Sequence, residues 1–116
     1  MEEGGFMPKN CYGVTLYTQE LQAVRGFYEG VLELAVTKEV EGESITFDGG
    51  EVLITFEERY LKPPTLATLH FIEEDVPHFC KRLRMQGVPI REEWRDKVNL
   101  TDPEGRIVVL TEPPLG

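Results

Sequence analysis

A chain of 116 residues has room for one domain with a modest core, and pairing with a second copy would help it complete its burial. At 41% hydrophobic and 28% charged its composition is globular, no apolar run approaches the roughly 20 residues of a membrane helix, and the acidic, Gly-bearing start does not read as a secretion signal, so a cytoplasmic protein is expected. Twenty-one acidic against twelve basic residues give a net charge of -9, which argues against nucleic acid and anionic membranes as partners.

In chain order, Tyr12 to Thr18 alternates and is rich in β-formers, which predicts a strand. The following LQAVRGFYEGVL places Leu21, Val24, Tyr28 and Val31 on one helical face. AVTKEV, SITFD and EVLITF are short strand-type segments separated by Gly-Glu and Gly-Gly turns. ERYLKPPTLA, with Pro63 and Pro64, reads as a connector. TLHFI then predicts a strand and DVPHFCKRLRMQG a helix, with Asp75 as N-cap, Pro77 in the first turn and Gly87 as its stop. VPIREEW, KVNL and RIVVLT supply three more strands, so the order is β-α-β-β-β twice.

A shift of 55 positions relates the two halves. Leu16 falls on Phe71, Leu21 on Val76 and Val24 on Phe79, and Gly50 to Ile54 fall on Gly105 to Val109. The expected fold class is α+β: two βαβββ modules, at about 11–57 and 67–112 with a connector at 58–66, each forming a curved mixed sheet flanked by one helix around a concave cavity.

GVTLYTQELQAVRGFYEGVLEL, LHFIEEDVPHFCKRLRMQGVPI and DPEGRIVVL resemble the vicinal oxygen chelate superfamily, which includes glyoxalase I, bleomycin-resistance proteins and extradiol dioxygenases. The resemblance spans about residues 12 to 112 and implies the fold more specifically than a reaction. Glu33 stands where the family usually has Gly after the first helix, Arg106 where Asn usually follows the DPxG turn, and EEWRDKVN is shorter than the usual connection.

Members with a metal place His near the start of the first strand of each module and Glu in the fourth. The resemblance sets those positions at Gly13, Ile54, Thr68 and Val109, none of which offers a useful ligand. No cofactor is therefore expected, and a divalent metal is the alternative, held around His70, which shares a strand face with Thr68. The remaining concave surface is expected to carry Thr15, Tyr17, Val52, Ile54, Phe56, Thr68, His70, Ile107 and Val109, with Tyr60 or Trp94 near the mouth. Such a surface suits a small organic molecule.

No GxSxG elbow, Gly-rich phosphate loop or Cys–His arrangement appears, and Cys11 and Cys80 read as free thiols. The acidic runs Glu57-Glu58, Glu73-Glu74-Asp75 and Glu92-Glu93 read as solvated faces. The reading is therefore a glyoxalase/bleomycin-resistance-like protein that sequesters a small, partly apolar molecule and works as a homodimer, with catalysis left to the first of its alternatives. Two alternatives stand beside it: a metal-dependent lyase, isomerase or dioxygenase with an atypical site around His70, and a dimeric interaction module without a small ligand.

Overall fold

The computed structural model describes residues 9–114. In the first module, strand β1 (Gly13–Thr18) leads into helix α1 (Leu21–Arg25), followed by β2 (Val36–Val40), β3 (Ser44–Asp48) and β4 (Leu53–Glu58). The second repeats the order with β5 (Thr68–Ile72), α2 (Val76–Met85), β6 (Glu92–Glu93), β7 (Lys97–Thr101) and β8 (Ile107–Thr111). The strands form two four-stranded mixed sheets, ordered β1-β4-β3-β2 and β5-β8-β7-β6, with β1–β4 and β5–β8 parallel. This is the α+β architecture expected from the sequence, with the sixth strand cut to two residues.

The first helix departs from the regular period that the sequence suggests. Beyond Arg25 it widens into a π-helical stretch, Gly26–Val31, in which Leu32 N–H donates to the Phe27 carbonyl at 3.1 Å. Gly26 and Gly30 are weak helix formers within this stretch. Within the wider turn Phe27 and Tyr28 are both buried. The Tyr28 ring centroid lies 5.9 Å from that of Phe47 and 4.7 Å from that of Phe56, so the helix seats on the sheet through aromatic contacts.

Beyond the wide turn, Glu33 adopts a left-handed φ of 59°, a conformation that glycine reaches without a Cβ penalty. Arg82 of α2 donates to the Val31 carbonyl at 2.9 Å, so the second module's helix satisfies an open carbonyl at the end of the first module's helix. In α2, the Asp75 carboxylate accepts from His78 N–H at 3.0 Å and Gly87 turns the chain with φ 72°, the cap and stop expected from sequence.

Arg106 joins the modules more firmly. It is fully buried, and its guanidinium lies 3.0 Å from Asp102 Oδ2 and 2.9 Å from Glu104 Oε1. It also donates to the Thr65 carbonyl at 2.7 Å and the Tyr17 carbonyl at 2.6 Å. Asp102 Oδ2 accepts from the Tyr28 hydroxyl at 2.7 Å, and Glu104 accepts from Thr18 Oγ1 at 2.6 Å and Gln19 N–H at 2.9 Å. One turn of the second module thereby grips the end of β1, the connector and the first helix.

Burial, then the charge of Asp102 and the hydrogen bond to it, hold the Tyr28 phenol far above its ordinary pKa. Burial alone would raise Glu104. The hydrogen bonds from Thr18, Gln19 N–H and Arg106, with the charge of Arg106, outweigh it and leave the carboxyl below its ordinary value.

Both cysteines are free, Cys11 exposed and Cys80 buried in the core. Burial pushes the Cys80 thiol up to about 11, helped by the neighbouring Glu93 carboxylate. We expect an aromatic disulfide reagent near neutral pH to modify one thiol quickly in the native protein and the second only after denaturant. Two fast thiols would contradict the packing around Cys80.

Candidate functional site on the helix-free sheet faces

Strand register decides which residues face away from the helices. In β1–β4, Gly13 stands opposite Leu53, Thr15 opposite Thr55 and Tyr17 opposite Glu57, and these six share the open face. Leu16 stands opposite Phe56 and Val14 opposite Ile54, and Leu16, Ile54 and Phe56 belong to the core packed by the first helix. The expectation that Ile54 and Phe56 line the concave surface is therefore corrected. Ile54 is 6% exposed and reaches only the cleft between the modules, while Phe56 is sealed beneath Tyr28.

The physical reason is a one-residue difference in turn length. Four residues lie between Asp48 and Leu53, but five between Thr101 and Ile107. Leu53 therefore stands to Gly13 as Ile107 stands to Thr68, a separation of 54 where the first strands are separated by 55. Because side chains alternate, that slip moves every residue of the strand to the other face. The counterpart of Val109 on the open face of the first module is Thr55.

In the second module the register sets the open face directly. Thr68, His70 and Ile72 of β5 stand beside Ile107, Val109 and Thr111 of β8 on the open face. Thr68 and His70 are exposed, Ile72 is 65% exposed, and Val109 is nearly covered. One row crosses the sheet as His70, Val109, Asn99 and Glu92, and Asn99 Nδ2 donates to Glu92 Oε1 at 3.2 Å. Asn99 Oδ1 is buried and has no donor among the described residues. Trp94 is 44% exposed beyond β6, with Lys97 Nζ 4.5 Å from its ring centroid.

In the first module, Tyr17 is half-buried on the open face, with the Arg59 guanidinium 5.8 Å and the Lys62 ammonium 5.9 Å from its ring centroid. Tyr60 is largely exposed and donates its hydroxyl to Glu58 at 2.9 Å. A cleft of about 770 Å³ separates the modules, with Val14, Leu34 and Val52 on one wall and Leu69, His70 and Ile72 on the other. His70 thus faces both the open sheet and this cleft.

The family's metal set does not fit these residues. Gly13 and Val109 carry no donor atom, and Thr55 and Thr68 offer only neutral hydroxyls. Among the described residues no group of three or more His, Cys, Asp and Glu side chains is placed to hold a metal ion.

Sequence reasoning missed Thr55 and Ile72, which alternation places on the open faces once the register is known, and also Thr46, Asn99 and Lys38. Strand alternation on β3 and β7 would have supplied Thr46 and Asn99. Lys38 follows from a bulge that no composition signal marks.

Solved structures share this arrangement across nearly the whole chain. A lactoylglutathione lyase from Agrobacterium tumefaciens superposes with a TM-score of 0.72 at 20% identity, covering 90% of this chain and 94% of that one. A virulence protein from Salmonella typhimurium gives 0.76 at 16% identity, covering 94% and 100%. TnmS3, an antibiotic binding protein from a Streptomyces species, gives 0.73 at 18% identity, covering 95% and 100%. At these identities the likeness establishes the fold alone. A search of the curated proteins finds no match. The sequence model of one family matches residues 13–106, and the chain accordingly belongs to the Glyoxalase/Bleomycin resistance protein/Dioxygenase superfamily.

Proposed function

We propose that the protein binds a small, partly apolar organic molecule on the helix-free faces of its sheets, without a metal. The observation that carries this is the open face of the second module. Exposed Ile72, His70 and Thr68 flank Ile107 and Val109 there, Trp94 lies at the far end, and the positions that would hold a metal offer no ligand set. A face that pairs apolar area with a few polar groups gives both affinity and orientation. TnmS3, whose fold this chain shares, is by name an antibiotic binding protein, which makes sequestration a reasonable use of the same surface.

The chain works as a homodimer in this reading, and in the cytoplasm. Its Cα radius of gyration is 16.4 Å, against about 13 Å for a compact chain of this length. Two such open molecules can bring their sheet faces together and enclose what each leaves exposed. Light scattering at micromolar concentration should give twice the chain mass.

A thermal-shift screen of aromatic and heteroaromatic compounds tests the binding. A ligand at one hundred times its Kd stabilises by about 2.7 kcal/mol, which is roughly 10 °C in Tm for a domain of this size. The shift should persist in EDTA and shrink in His70→Ala. Stoichiometric divalent metal in protein purified without chelators, lost in His70→Ala, would overturn the metal-free reading. A crystal structure with both faces filled by the chain's own side chains would overturn binding altogether.

A further inference from the structure

The open face of the first module has a chemistry of its own. Thr15 stands opposite Thr55, Thr55 opposite Thr46, and Thr46 opposite Lys38, so one row across all four strands reads Thr, Thr, Thr, Lys. At about 4.8 Å between strands the row is roughly 14 Å long. Lys38 joins it through an irregularity: Val36 pairs with Phe47 and Lys38 with Thr46, which leaves Thr37 as the extra residue of a β-bulge. In regular register Thr37 would occupy the open face and Lys38 would point towards the helix. The bulge re-aims the lysine, as bulges beside functional surfaces do. The next residue, Glu39, returns to the helix side and pairs with Arg25 of α1 at 2.7 Å.

The hydroxyls are organised. Thr46 Oγ1 and Thr55 Oγ1 are 2.8 Å apart, so one donates to the other and the acceptor's own proton stays available. Thr37 Oγ1 donates to the Thr46 carbonyl and pins the bulge at 3.3 Å. Among the described residues Thr15 Oγ1 and Lys38 Nζ make no hydrogen bond or ion pair. A groove of about 530 Å³ lies over the row, and Gly13, which has no side chain to fill its floor, and exposed Tyr12 also border it. The carboxylate of Glu57 on this face is already engaged with Arg59. Neutral hydroxyl donors beside an ammonium match an oxygen anion, and this row gathers them on a chain whose net charge is -9.

We propose that the row Thr15–Thr55–Thr46–Lys38 is an oxyanion subsite, which takes the carboxylate, phosphate or phosphonate group of the organic molecule bound by the protein. This deepens the proposed function and rests on it for the organic part of the ligand. The anionic group lies along the threonine row with Lys38 closing one end, and the apolar part extends to an open face of the second-module type.

Amide chemical shifts of the full-length protein during titration with inorganic phosphate and, separately, benzoate test the assignment and distinguish the two anion sources. The expected result is saturable shifts at Thr15, Lys38, Thr46 and Thr55 with at least one probe. Lys38→Met should weaken that binding at least tenfold and Thr55→Val severalfold, with both variants folded because Lys38 is exposed and Val keeps the shape of Thr. Binding should also weaken as potassium chloride is added. Shifts located elsewhere, no shift with either probe, or unchanged affinity in Lys38→Met would overturn the subsite. If a carboxylate- or phosphate-bearing compound from the thermal-shift screen binds Lys38→Met as tightly as the parent, the subsite fails while the binding function stands. If the anions bind in a Lys38-dependent way and the screen yields nothing, the subsite stands and the organic-ligand reading fails.

Discussion

Replacing Arg106 by Met is expected to cost about 3–5 kcal/mol of folding stability, the range for breaking a buried ion pair by removing one partner. The substitution leaves Asp102 buried without its counter-charge and leaves the Thr65 and Tyr17 carbonyls without the guanidinium that holds them at 2.7 and 2.6 Å. Native domains hold about 5–15 kcal/mol in total, so the variant should unfold in urea at a markedly lower midpoint. Arg106→Lys keeps the charge but replaces a planar five-donor fork by a single ammonium, so it should fall between the two. Arg106→Asn, which restores the residue more usual in the family, cannot span the four acceptors and should resemble Met. A loss below about 1 kcal/mol in Arg106→Met would show that the cluster is a passenger of the fold.

The same cluster sets an acid limit. Glu104 is ordinary in the unfolded chain, near 4.5, and lower in the folded one. A carboxyl with a depressed folded value binds its proton more readily when unfolded. Its contribution is therefore fully present above about 4.5 and is lost as pH falls through the folded value. Acid unfolding should begin below that point, and Glu104→Gln should flatten the slope there.

These effects show which parts of the structure can be read from sequence. Strands, helices and the repeated β-α-β-β-β order follow from local periodicity, and Asp75 and Gly87 mark the second helix through chemistry confined to neighbouring residues. Arg106 stands out in the sequence only as a departure from a family pattern. Its role depends on Thr65 and Tyr17, 41 and 89 residues away, and nothing local encodes that meeting. The face of β4 depends on a single residue of turn length, because the open-face pattern Leu53, Thr55, Glu57 and the core pattern Ile54, Phe56 both alternate. Composition hints that the more apolar set is the buried one. The alignment of two unequal turns at one offset points the other way. The bulge at Thr37 is quieter still, because VTKEV alternates acceptably in either register and only the pairing with β3 shows which side Lys38 takes.

The two modules therefore share a backbone plan and differ in the chemistry of one equivalent row. Where the first places Thr15, Thr55, Thr46 and Lys38, the second places His70, Val109, Asn99 and Glu92. The terminal positions carry opposite charges, and the central pair is hydroxyl in one and apolar with an amide in the other. A duplicated fold with unlike faces suits a ligand with unlike ends, which symmetric metal coordination would not require.

Neighbouring residues of β4 offer the sharpest test of this division. Phe56→Ala should cost about 3–5 kcal/mol, because the side chain is fully buried and packs against Tyr28, Phe47 and the Arg106 guanidinium. Truncation opens a cavity beneath the first helix that the surrounding rings fill only in part. Thr55→Val changes one hydroxyl on the open face, keeps the β-branched shape, and should shift stability by less than about 1 kcal/mol. Chemical denaturation of the two variants measures the contrast. Binding should sort them the other way: at a temperature where both are folded, Phe56→Ala keeps the anion affinity of the parent and Thr55→Val weakens it severalfold. Equal destabilisation of the two, or a larger loss at Thr55, would mean that β4 presents its other face to the helix and would return Ile54 and Phe56 to the site.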